Sequence, residues 1–282
     1  MTNTSYIVWS VNPVIFEIFG IPVQYYGVLF VSGLLAAIWV LNKIFEENEI
    51  SKELLEKLIT YSVIGIFIGA RLGHCLFYEP EYFLSHPIEM ILPISPKADG
   101  GYVFTGYRGL SSHGGAIGLL SALFIYCLNT KQKLIKILDY IAIVTPAAAC
   151  FIRIGNLMNS EIIGKPTTVP WAFIFERIDN IPRHPAQLYE SIAYLIIFIM
   201  TVLLYKKSKK NKNSKNNGFF FGTVLVSVFI FRFFIEFLKE NQVYFENAMI
   251  LDMGQILSIP FIITGIIFIA YSQRIKNCLP NR

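Results

Sequence analysis

Seven long apolar segments constrain this chain more strongly than any other feature of its sequence. A helix needs about 20 apolar residues to cross the hydrocarbon core of a bilayer. Candidate spans lie, in chain order, at residues 20–42, 57–78, 113–130, 136–156, 185–205, 218–239 and 248–271. Because backbone polar groups inside a bilayer must be satisfied within the protein, such segments fold as helices. The sequence therefore predicts an all-α, polytopic membrane protein with about seven transmembrane helices.

The composition excludes an ordinary soluble protein. Of the 282 residues, 54% are hydrophobic and only 15% are charged, whereas about 25% of the residues of a soluble domain are charged. No internal repeat is evident, and the only low-complexity stretch is rich in lysine and asparagine, at 206–215. We therefore expect one integral membrane domain over residues 1–282.

The distribution of basic residues predicts the orientation in the membrane. With the N-terminus outside, most lysines and arginines fall in cytoplasmic segments, including six lysines between Lys206 and Lys215. Cytoplasmic loops carry such an excess, so we predict an N-out, C-in topology. The lysine cluster contains no aromatic residues, which argues against a nucleic-acid partner. Residues 79–112 and 157–184 would then form a periplasmic cap.

The termini and cysteines give no sign of cleavage, disulfides or metal. The first lysine is Lys43, so no basic region precedes the first apolar segment, and we expect that segment to stay in the mature protein. The four cysteines show neither a CxxC pair nor the spacing of zinc ligands. They are Cys75, Cys127, Cys150 and Cys278. We interpret all four as structural residues and expect no metal or other cofactor.

Three arginines lie inside or at the outer ends of apolar segments, namely Arg71, Arg153 and Arg232. Insertion scales put an arginine at the centre of a membrane helix at about 2.5–3.5 kcal/mol, so such residues usually face a bundle interior or a polar cavity. The arginines therefore mark candidate sites. Polar clusters around Arg153 and Arg232, and a third around His113, approach the outer side of the membrane.

The run from Arg153 to Lys165 is the densest of these clusters. In a continuous helix Arg153 and Asn156 share a face, and the planar fork of an arginine fits a phosphate with two hydrogen bonds. Asn159 and Glu161 add further polar groups before Gly164. The alternative interpretation, an interfacial arginine that reaches toward the lipid headgroups, does not explain why so many polar residues cluster here.

The other clusters admit both a functional and a structural interpretation. His113, between glycines at a helix start, suits proton transfer near neutral pH or simple packing. Arg232 and Glu236 can pair on one helix face, either at a site or as a self-contained ion pair. Arg71 with His74 fits a site or a buried network equally well. His184 is interpreted as a cap, and Gln187, Tyr189 and Glu190 follow it and could support a site from beneath.

With these motifs in order, the sequence resembles the bacterial prolipoprotein diacylglyceryl transferase family. The matching motifs are Tyr-Tyr-Gly at 25–27, Gly-Ala-Arg-Leu-Gly at 69–73, His-Gly-Gly at 113–115, Arg-x-Gly-Asn-x-x-Asn-x-Glu-x-x-Gly at 153–164, His-Pro-Ala-Gln-Leu-Tyr-Glu at 184–190 and Arg-Phe-x-x-Glu-Phe at 232–237. The resemblance covers most of the chain. It departs from the family pattern at Ser160, where a glycine is usual, and at Ser112 and Lys165.

The resemblance implies a reaction, two substrates and a set of site residues. Phosphatidylglycerol would donate its diacylglyceryl group to the thiol of a lipobox cysteine in an exported prolipoprotein signal peptide, releasing glycerol 1-phosphate. His113, Arg153 and Arg232 are the implied catalytic residues. The implied substrate-binding residues are Tyr26, Arg71, Arg153, Asn156, Asn159, Glu161, Gly164 and Glu236. The active site would face outward from the bacterial cell membrane, in contact with its lipids.

Two other functional classes remain open at this stage. An anion or lipid transporter would also place arginines inside the membrane, but the internal repeats common in transporters are not evident. An intramembrane protease would need a Gly-x-Ser-Gly turn or a His-Glu-x-x-His helix. The run Gly109-Leu110-Ser111-Ser112 lacks the final glycine, and His-Glu-x-x-His does not occur.

Overall fold

The computed structural model describes residues 6–92, 94–97, 100–104, 109–210, 217–240 and 249–278, and its helices confirm the predicted spans. Seven helices in these ranges are long and apolar enough to cross a membrane. The α-helices in the same ranges are α1 Tyr25–Glu47, α2 Lys52–Phe77, α3 Pro80–Ser85, α4 Pro87–Ile91, α5 Ser112–Thr130, α6 Leu134–Met158, α7 Ala186–Lys210, α8 Phe219–Ile235 and α9 Met253–Cys278. A 3-10 turn at Glu236–Leu238 extends α8.

Short strands between the helices were not part of the all-α prediction. They are β1 Ile7–Trp9, β2 Val14–Ile18, β3 Ile21–Gln24, β4 Ile94–Pro96, β5 Tyr102–Phe104, β6 Phe173–Phe175 and β7 Pro182–Arg183. In the described residues they form one three-stranded sheet, ordered β1-β6-β7, and two hairpins, β2-β3 and β4-β5. Strands of two to five residues are too short to show the alternation by which a sequence predicts strands.

The first span starts later than the hydropathy pattern predicts. The prediction began the helix at residue 20, but residues 21–24 form β3, and α1 begins at Tyr25. The turn between β2 and β3 contains Phe19 and Gly20, both with positive φ, a pattern typical of two-residue hairpin turns. Apolar residues that belong to a hairpin therefore look like an extension of the helix. Residue 248, where the last predicted span begins, lies outside the described residues.

The chain divides into two compact units. Residues Phe45–Ile137 form one, and residues Met1–Ile44 with Leu138–Arg282 form the other. They are called the α2–α5 unit and the main unit below. The prediction of a single domain stays a prediction, as do the periplasmic cap and the orientation. The lysine cluster that supports the orientation falls partly outside the described residues, at 211–216.

The α2–α5 unit is built on close contact between two helices. Glycines at every fourth position of α2 (Gly65, Gly69 and Gly73) face Gly114 and Gly118 of α5. A Cβ built on Gly69 would come within 2.7 Å of the Cα of Gly118. Small residues let transmembrane helices approach this closely and gain van der Waals contact.

Buried polar residues fix α8 within the main unit. Asp139, near the start of α6, is fully buried and accepts hydrogen bonds from the backbone N–H groups of Gly218 (2.9 Å) and Phe221 (2.8 Å). These N–H groups belong to the first turn of α8 and have no partner within that helix. Asp139 therefore supplies a cap for α8 from a distant part of the sequence.

Candidate functional site

The last turns of α6 carry the arginine-asparagine cluster that the sequence predicts. Arg153 Nη1 donates to Asn156 Oδ1 at 3.2 Å, as expected for residues three apart on one helix face. Asn156 donates in turn to Glu161 Oε2 (3.1 Å), and Asn159 donates to Glu161 Oε1 (3.0 Å). The side-chain amides of Asn156 and Asn159 thus hold the Glu161 carboxylate. Arg153 is connected to this carboxylate only through Asn156.

The chain turns sharply after α6. Ser160 and Ile162 have φ values of 57° and 56°, which are unfavourable for residues with a Cβ. The turn leads to Gly164, where a Cβ would come within 2.6 Å of the His184 Cβ and 2.9 Å of the Leu238 carbonyl oxygen. Only glycine fits between these two segments without displacing them.

Backbone hydrogen bonds then join the end of α6 to the end of α8. Lys165 N–H donates to the Leu238 carbonyl at 2.8 Å, and Glu240 N–H donates to the Ile163 carbonyl at 3.1 Å. Gly164 and Lys239 form an antiparallel bridge between these bonds. The two polar runs, at 153–165 and 232–239, are far apart along the chain and are therefore brought together by the fold.

The first turns of α7 supply a third wall. Gln187 is fully buried, and its amide nitrogen donates to the Glu161 carbonyl. Glu190 is also fully buried, and its Oε2 lies 3.2 Å from Arg153 Nε. A buried carboxylate needs a paired charge, and Arg153 provides one. The sequence suggested only that Gln187 and Glu190 could support a site from beneath.

A continuous series of ion pairs connects Arg153 to Arg232. Lys239 Nζ lies 3.6 Å from Glu190 Oε1 and 2.9 Å from Glu236 Oε1, and Arg232 Nε lies 3.7 Å from the same Glu236 oxygen. We call the series Arg153–Glu190–Lys239–Glu236–Arg232 the charge chain. The pair of Arg232 with Glu236 was predicted, whereas their link to Arg153 was not.

Lys239 is the member that sequence reasoning missed. In the N-out topology predicted from the sequence, Lys239 is an ordinary basic residue of an outer segment, but its side chain is 3% exposed. A lysine just after an apolar helix usually anchors that helix at the lipid headgroups, so its position alone gives no sign of burial. The two carboxylates, Glu190 and Glu236, are already matched in number by Arg153 and Arg232, so counting charges along the sequence does not indicate a third buried cation.

Tyr26 adds an aromatic side chain beside this network. It lies half-buried in the first turn of α1, and a Cβ built on Gly155 would come within 2.9 Å of its ring. The Tyr-Tyr-Gly motif and Gly155, two residues after Arg153, therefore meet in the main unit, and the substrate-binding role of Tyr26 stays a prediction.

A smaller cluster of polar residues lies in the loop between α6 and α7 and in the first turn of α7. Tyr189 Oη accepts a hydrogen bond from Trp171 Nε1 at 2.7 Å and lies 3.3 Å from His184 Nδ1. Burial lowers the pKa of His184, which favours the neutral imidazole that can accept a hydrogen bond from Tyr189. Arg183 pairs with Asp179 (2.6 Å) and with Glu240. These contacts hold the loop between α6 and α7 in place.

The remaining candidates belong to the α2–α5 unit. The Arg71 guanidinium donates to the backbone carbonyls of Glu89 (2.6 Å), Met90 (3.1 Å) and Gly109 (3.4 Å). His74 Nε2 lies 3.3 Å from Glu79 Oε1. These contacts tie the segment after α2 to α2 itself. The substrate-binding role of Arg71 stays a prediction.

His113 lies exposed in the first turn of α5. The helix start is capped by Ser111, whose Oγ accepts from Gly114 N–H at 3.3 Å, and Gly114 packs against Gly73 of α2. Within the described ranges, His113 makes no side-chain hydrogen bond or ion pair. Its imidazole is therefore accessible, as a proton acceptor for an incoming substrate requires.

The chemistry of the main-unit site is that of an anion site. Its outer members are two arginines, with exposed side-chain fractions of 13% and 32% for Arg153 and Arg232, and guanidinium groups bind phosphate oxygens well. Within the ranges that the structure describes, no three His, Cys, Asp or Glu side chains gather to hold a metal ion. Cys75, Cys127 and Cys150 are buried free thiols.

Comparison with known proteins supports the resemblance seen in the sequence. The family model described as prolipoprotein diacylglyceryl transferase matches residues 13–271. A phosphatidylglycerol–prolipoprotein diacylglyceryl transferase of Bacteroides fragilis is 53% identical over 95% of this chain and 96% of its own length. Relatives of the same name from Chloroherpeton thalassium and Tolumonas auensis are 43% and 40% identical, over 97% and 95% of this chain and 97% and 98% of their own lengths.

Proposed function

The chain belongs to the prolipoprotein diacylglyceryl transferase family, and from this premise we propose how its site performs the transfer. The enzyme takes the diacylglyceryl group of phosphatidylglycerol, the donor in its relatives' names, and attaches it to a prolipoprotein. The acceptor is the thiol of the lipobox cysteine in an exported signal peptide, and the second product is glycerol 1-phosphate. The observation that supports this proposal is the charge chain, which connects Arg153 to Arg232 through a continuous series of ion pairs.

The transfer exchanges one bond at a single carbon. The thiolate sulfur attacks the glyceryl carbon that bears the phosphate oxygen, so a carbon–sulfur bond forms while the carbon–oxygen bond breaks. The bonding electrons leave with the oxygen, and a phosphodiester with one negative charge becomes a monoester with two. Charge therefore develops on the departing phosphate, where preorganised donors lower the barrier most.

Arg153 and Arg232 bind this phosphate and stabilise the developing charge. Arg153 is held by Glu190 at Nε and by Asn156 at Nη1, so its fork is fixed before the substrate arrives. Asn156 and Asn159, which hold Glu161 between them, and Tyr26, which lies against Gly155, are assigned with Glu161 to the glycerol headgroup. Gly164 lets the two site loops approach each other.

His113 accepts the proton of the acceptor thiol. A cysteine thiol has a pKa of about 8.5 and is mostly protonated at neutral pH, so a proton acceptor is needed before its sulfur can attack. The positive field of phosphate-binding arginines also favours the thiolate. The histidine and that field therefore share the task of activating the thiol.

The site faces the outer side of the bacterial cell membrane. This placement follows from the excess of basic residues in the segments assigned to the cytoplasm. An exported signal peptide and the phosphatidylglycerol of the outer leaflet reach it there.

A detergent assay separates this function from its alternatives. Purified enzyme is mixed with phosphatidylglycerol labelled in its glycerol headgroup and with a lipobox peptide, or with the same peptide carrying serine for cysteine. We expect labelled glycerol phosphate and a heavier peptide with the cysteine form alone. A transporter would consume no lipid in detergent, and a protease would cleave the peptide. Either result would contradict the proposed reaction.

A further inference from the structure

Lys239 has no task in the reaction described above, yet it is the most deeply buried cation of the charge chain. Its Nζ contacts one carboxylate on each side, Glu236 at 2.9 Å and Glu190 at 3.6 Å. We propose that Lys239 is a positioning residue that neutralises these two carboxylates, so that Arg153 and Arg232 keep their positive charge for the lipid phosphate. The inference rests on the proposed function, because it concerns how that phosphate is bound.

The charges of the chain support this role. Three cations alternate with two carboxylates, so the fully ionised chain has one positive charge in excess. The donor phosphodiester carries one negative charge and would balance it. Without the Lys239 charge each arginine would become the sole counter-ion of a buried glutamate, and the empty site would already be neutral.

Side-chain exposure is lowest at Glu190 and Lys239 and highest at Arg232, which fits this role. Glu190 is fully buried, the Lys239 side chain is 3% exposed, and that of Glu236 is 11% exposed. The arginines at the two ends are the most accessible members. The two least exposed charges, Glu190 and Lys239, are thus paired with each other. Arg232 is the most accessible member at 32%, while Arg153 at 13% is close to Glu236 at 11%.

The contacts of the arginines leave donors for a ligand. Arg232 approaches Glu236 through Nε, and the terminal nitrogens of its guanidinium have no hydrogen-bond partner among the described residues. Arg153 also meets its glutamate through Nε, and of its terminal nitrogens Nη1 donates to Asn156 Oδ1 at 3.2 Å. If a carboxylate lost Lys239, its second oxygen would compete for these terminal nitrogens, because a buried carboxylate oxygen without a partner is costly.

The other groups that face the two carboxylates cannot replace Lys239. Tyr194 donates its hydroxyl to Glu190 Oε1 at 3.4 Å, but a hydroxyl brings no charge. In the described part of the chain, Glu190 and Glu236 form ion pairs only with Arg153, Lys239 and Arg232. Glu161 contacts Asn156 and Asn159 instead, so it stands outside this balance.

A charge-compensation experiment tests the role against simple structural support. Lys239→Met removes the cation, Lys239→Arg keeps it, and the double variant Lys239→Met/Glu236→Gln removes one charge of each sign and restores the excess of one positive charge. Glu236→Gln alone and Lys57→Met, which removes a lysine from an exposed pair with Glu53, are the controls. Transfer from labelled phosphatidylglycerol to the lipobox peptide gives kcat and KM for each variant that accumulates in membranes.

We expect Lys239→Met to raise KM for phosphatidylglycerol and to lower kcat/KM at least about tenfold, the scale of one charge-assisted hydrogen bond. Lys239→Arg and Lys57→Met should stay close to wild type. The double variant should recover most of the lost kcat/KM, whereas purely structural support predicts that losing two members of the network is at least as harmful as losing one.

Each outcome of this experiment either supports or refutes the positioning role of Lys239. A double variant that accumulates but is no more active than Lys239→Met overturns the inference, as does a Lys239→Met enzyme with an unchanged KM. If Lys239→Met does not accumulate, the double variant is compared with Glu236→Gln, and comparable activity supports the role while loss of activity refutes it. Failure of the wild-type enzyme to transfer would instead refute the proposed function.

Discussion

Arg153 shows how one side chain can be specified by its neighbours before any ligand binds. Its Nε faces Glu190 and its Nη1 faces Asn156, so the plane of the guanidinium is fixed. Lysine would keep the charge but offer a single point of contact. We expect Arg153→Lys to lower the transfer rate at least about a hundredfold, the usual cost of one transition-state donor.

Initial rates with labelled phosphatidylglycerol check this expectation, with Arg274→Lys as the matched control. Arg274 lies exposed near the end of α9, so its replacement should leave the rate unchanged. If Arg153→Lys turned over at nearly the wild-type rate, Arg153 would have to be removed from the catalytic residues.

If His113 is the base, the effect of replacing it should depend on pH. His113→Gln keeps a hydrogen-bonding side chain but removes the base, so the rate should fall most where the substrate thiol is protonated. A thiol with a pKa of about 8.5 ionises by itself as the pH rises from about 6 to 9, and the deficit should shrink in that direction. Initial rates of wild type and variant across this range measure it. A deficit that is constant with pH would leave His113 a binding or structural residue.

At Ser160 the chain departs from the family pattern, and we expect the serine to lower the stability of the fold. Its φ of 57° lies in the left-handed region, and its buried hydroxyl has no hydrogen-bond partner among the described residues. Glycine adopts this φ without strain and removes the hydroxyl. We expect Ser160→Gly to stabilise the protein by about 1 kcal/mol, seen as a higher thermal midpoint in detergent. A lower midpoint would show that the hydroxyl has a partner in solution.

At the scale of elements, the sequence predicts the helices well and their partners poorly. All seven spans were found because about 20 apolar residues in a row have few alternatives to a membrane helix. The short strands around the site were not found, because β6 and β7 have three and two residues and β6 is held by pairing with the distant strand β1. Such pairing leaves no local pattern in the sequence.

The site followed the same rule. Arg153, Asn156 and Glu161 were predicted to act together because they are close in sequence on or just after one helix. The link from Arg153 through Glu190 and Lys239 to Glu236 was missed because it crosses α6, α7 and the end of α8. The burial of a charged residue can be predicted from one sequence only where apolar residues precede and follow it along the chain.

The contact between α2 and α5 gives a prediction for a pair of glycines. Gly118 packs against α2, where a Cβ would come within 2.8 Å of the Gly69 Cα, whereas a Cβ on Gly27 of α1 would meet no atom within 4 Å. Gly118→Ala should therefore destabilise the protein by about 1–3 kcal/mol, the usual cost of overpacking. Gly27→Ala should be neutral or stabilising, because alanine favours helices over glycine by about 1 kcal/mol.

Thermal unfolding of both variants in the same detergent tests this contrast. Equal midpoints for the two variants would mean that α2 and α5 can move apart at little cost. The comparison is matched because each substitution adds one methyl group to a helical glycine, and only the surroundings differ.

At the scale of the whole molecule, seven spans predict that the chain enters and leaves the membrane on opposite sides. If successive spans alternate in direction, we expect the polar ends of α6 and α8, which carry Arg153 and Arg232, to lie on the same side. Which side this is depends on the basic residues alone. The last turn of α7 carries Lys207, Lys209 and Lys210, and we expect these lysines on the side opposite to the arginines.

The orientation is tested with single cysteines in intact cells. Glu81, in α3, and Lys133, between α5 and α6, are both exposed, and each is replaced by cysteine in a chain that carries Cys278→Ser. The remaining cysteines are buried and free, so they should react little with a maleimide that cannot cross membranes. We expect Glu81→Cys to be labelled in intact cells and Lys133→Cys only after lysis, because positively charged loops stay in the cytoplasm. The opposite pattern would place the arginines inside the cell, where an exported signal peptide could no longer meet them, and the outward-facing site would have to be abandoned while the membrane fold stands.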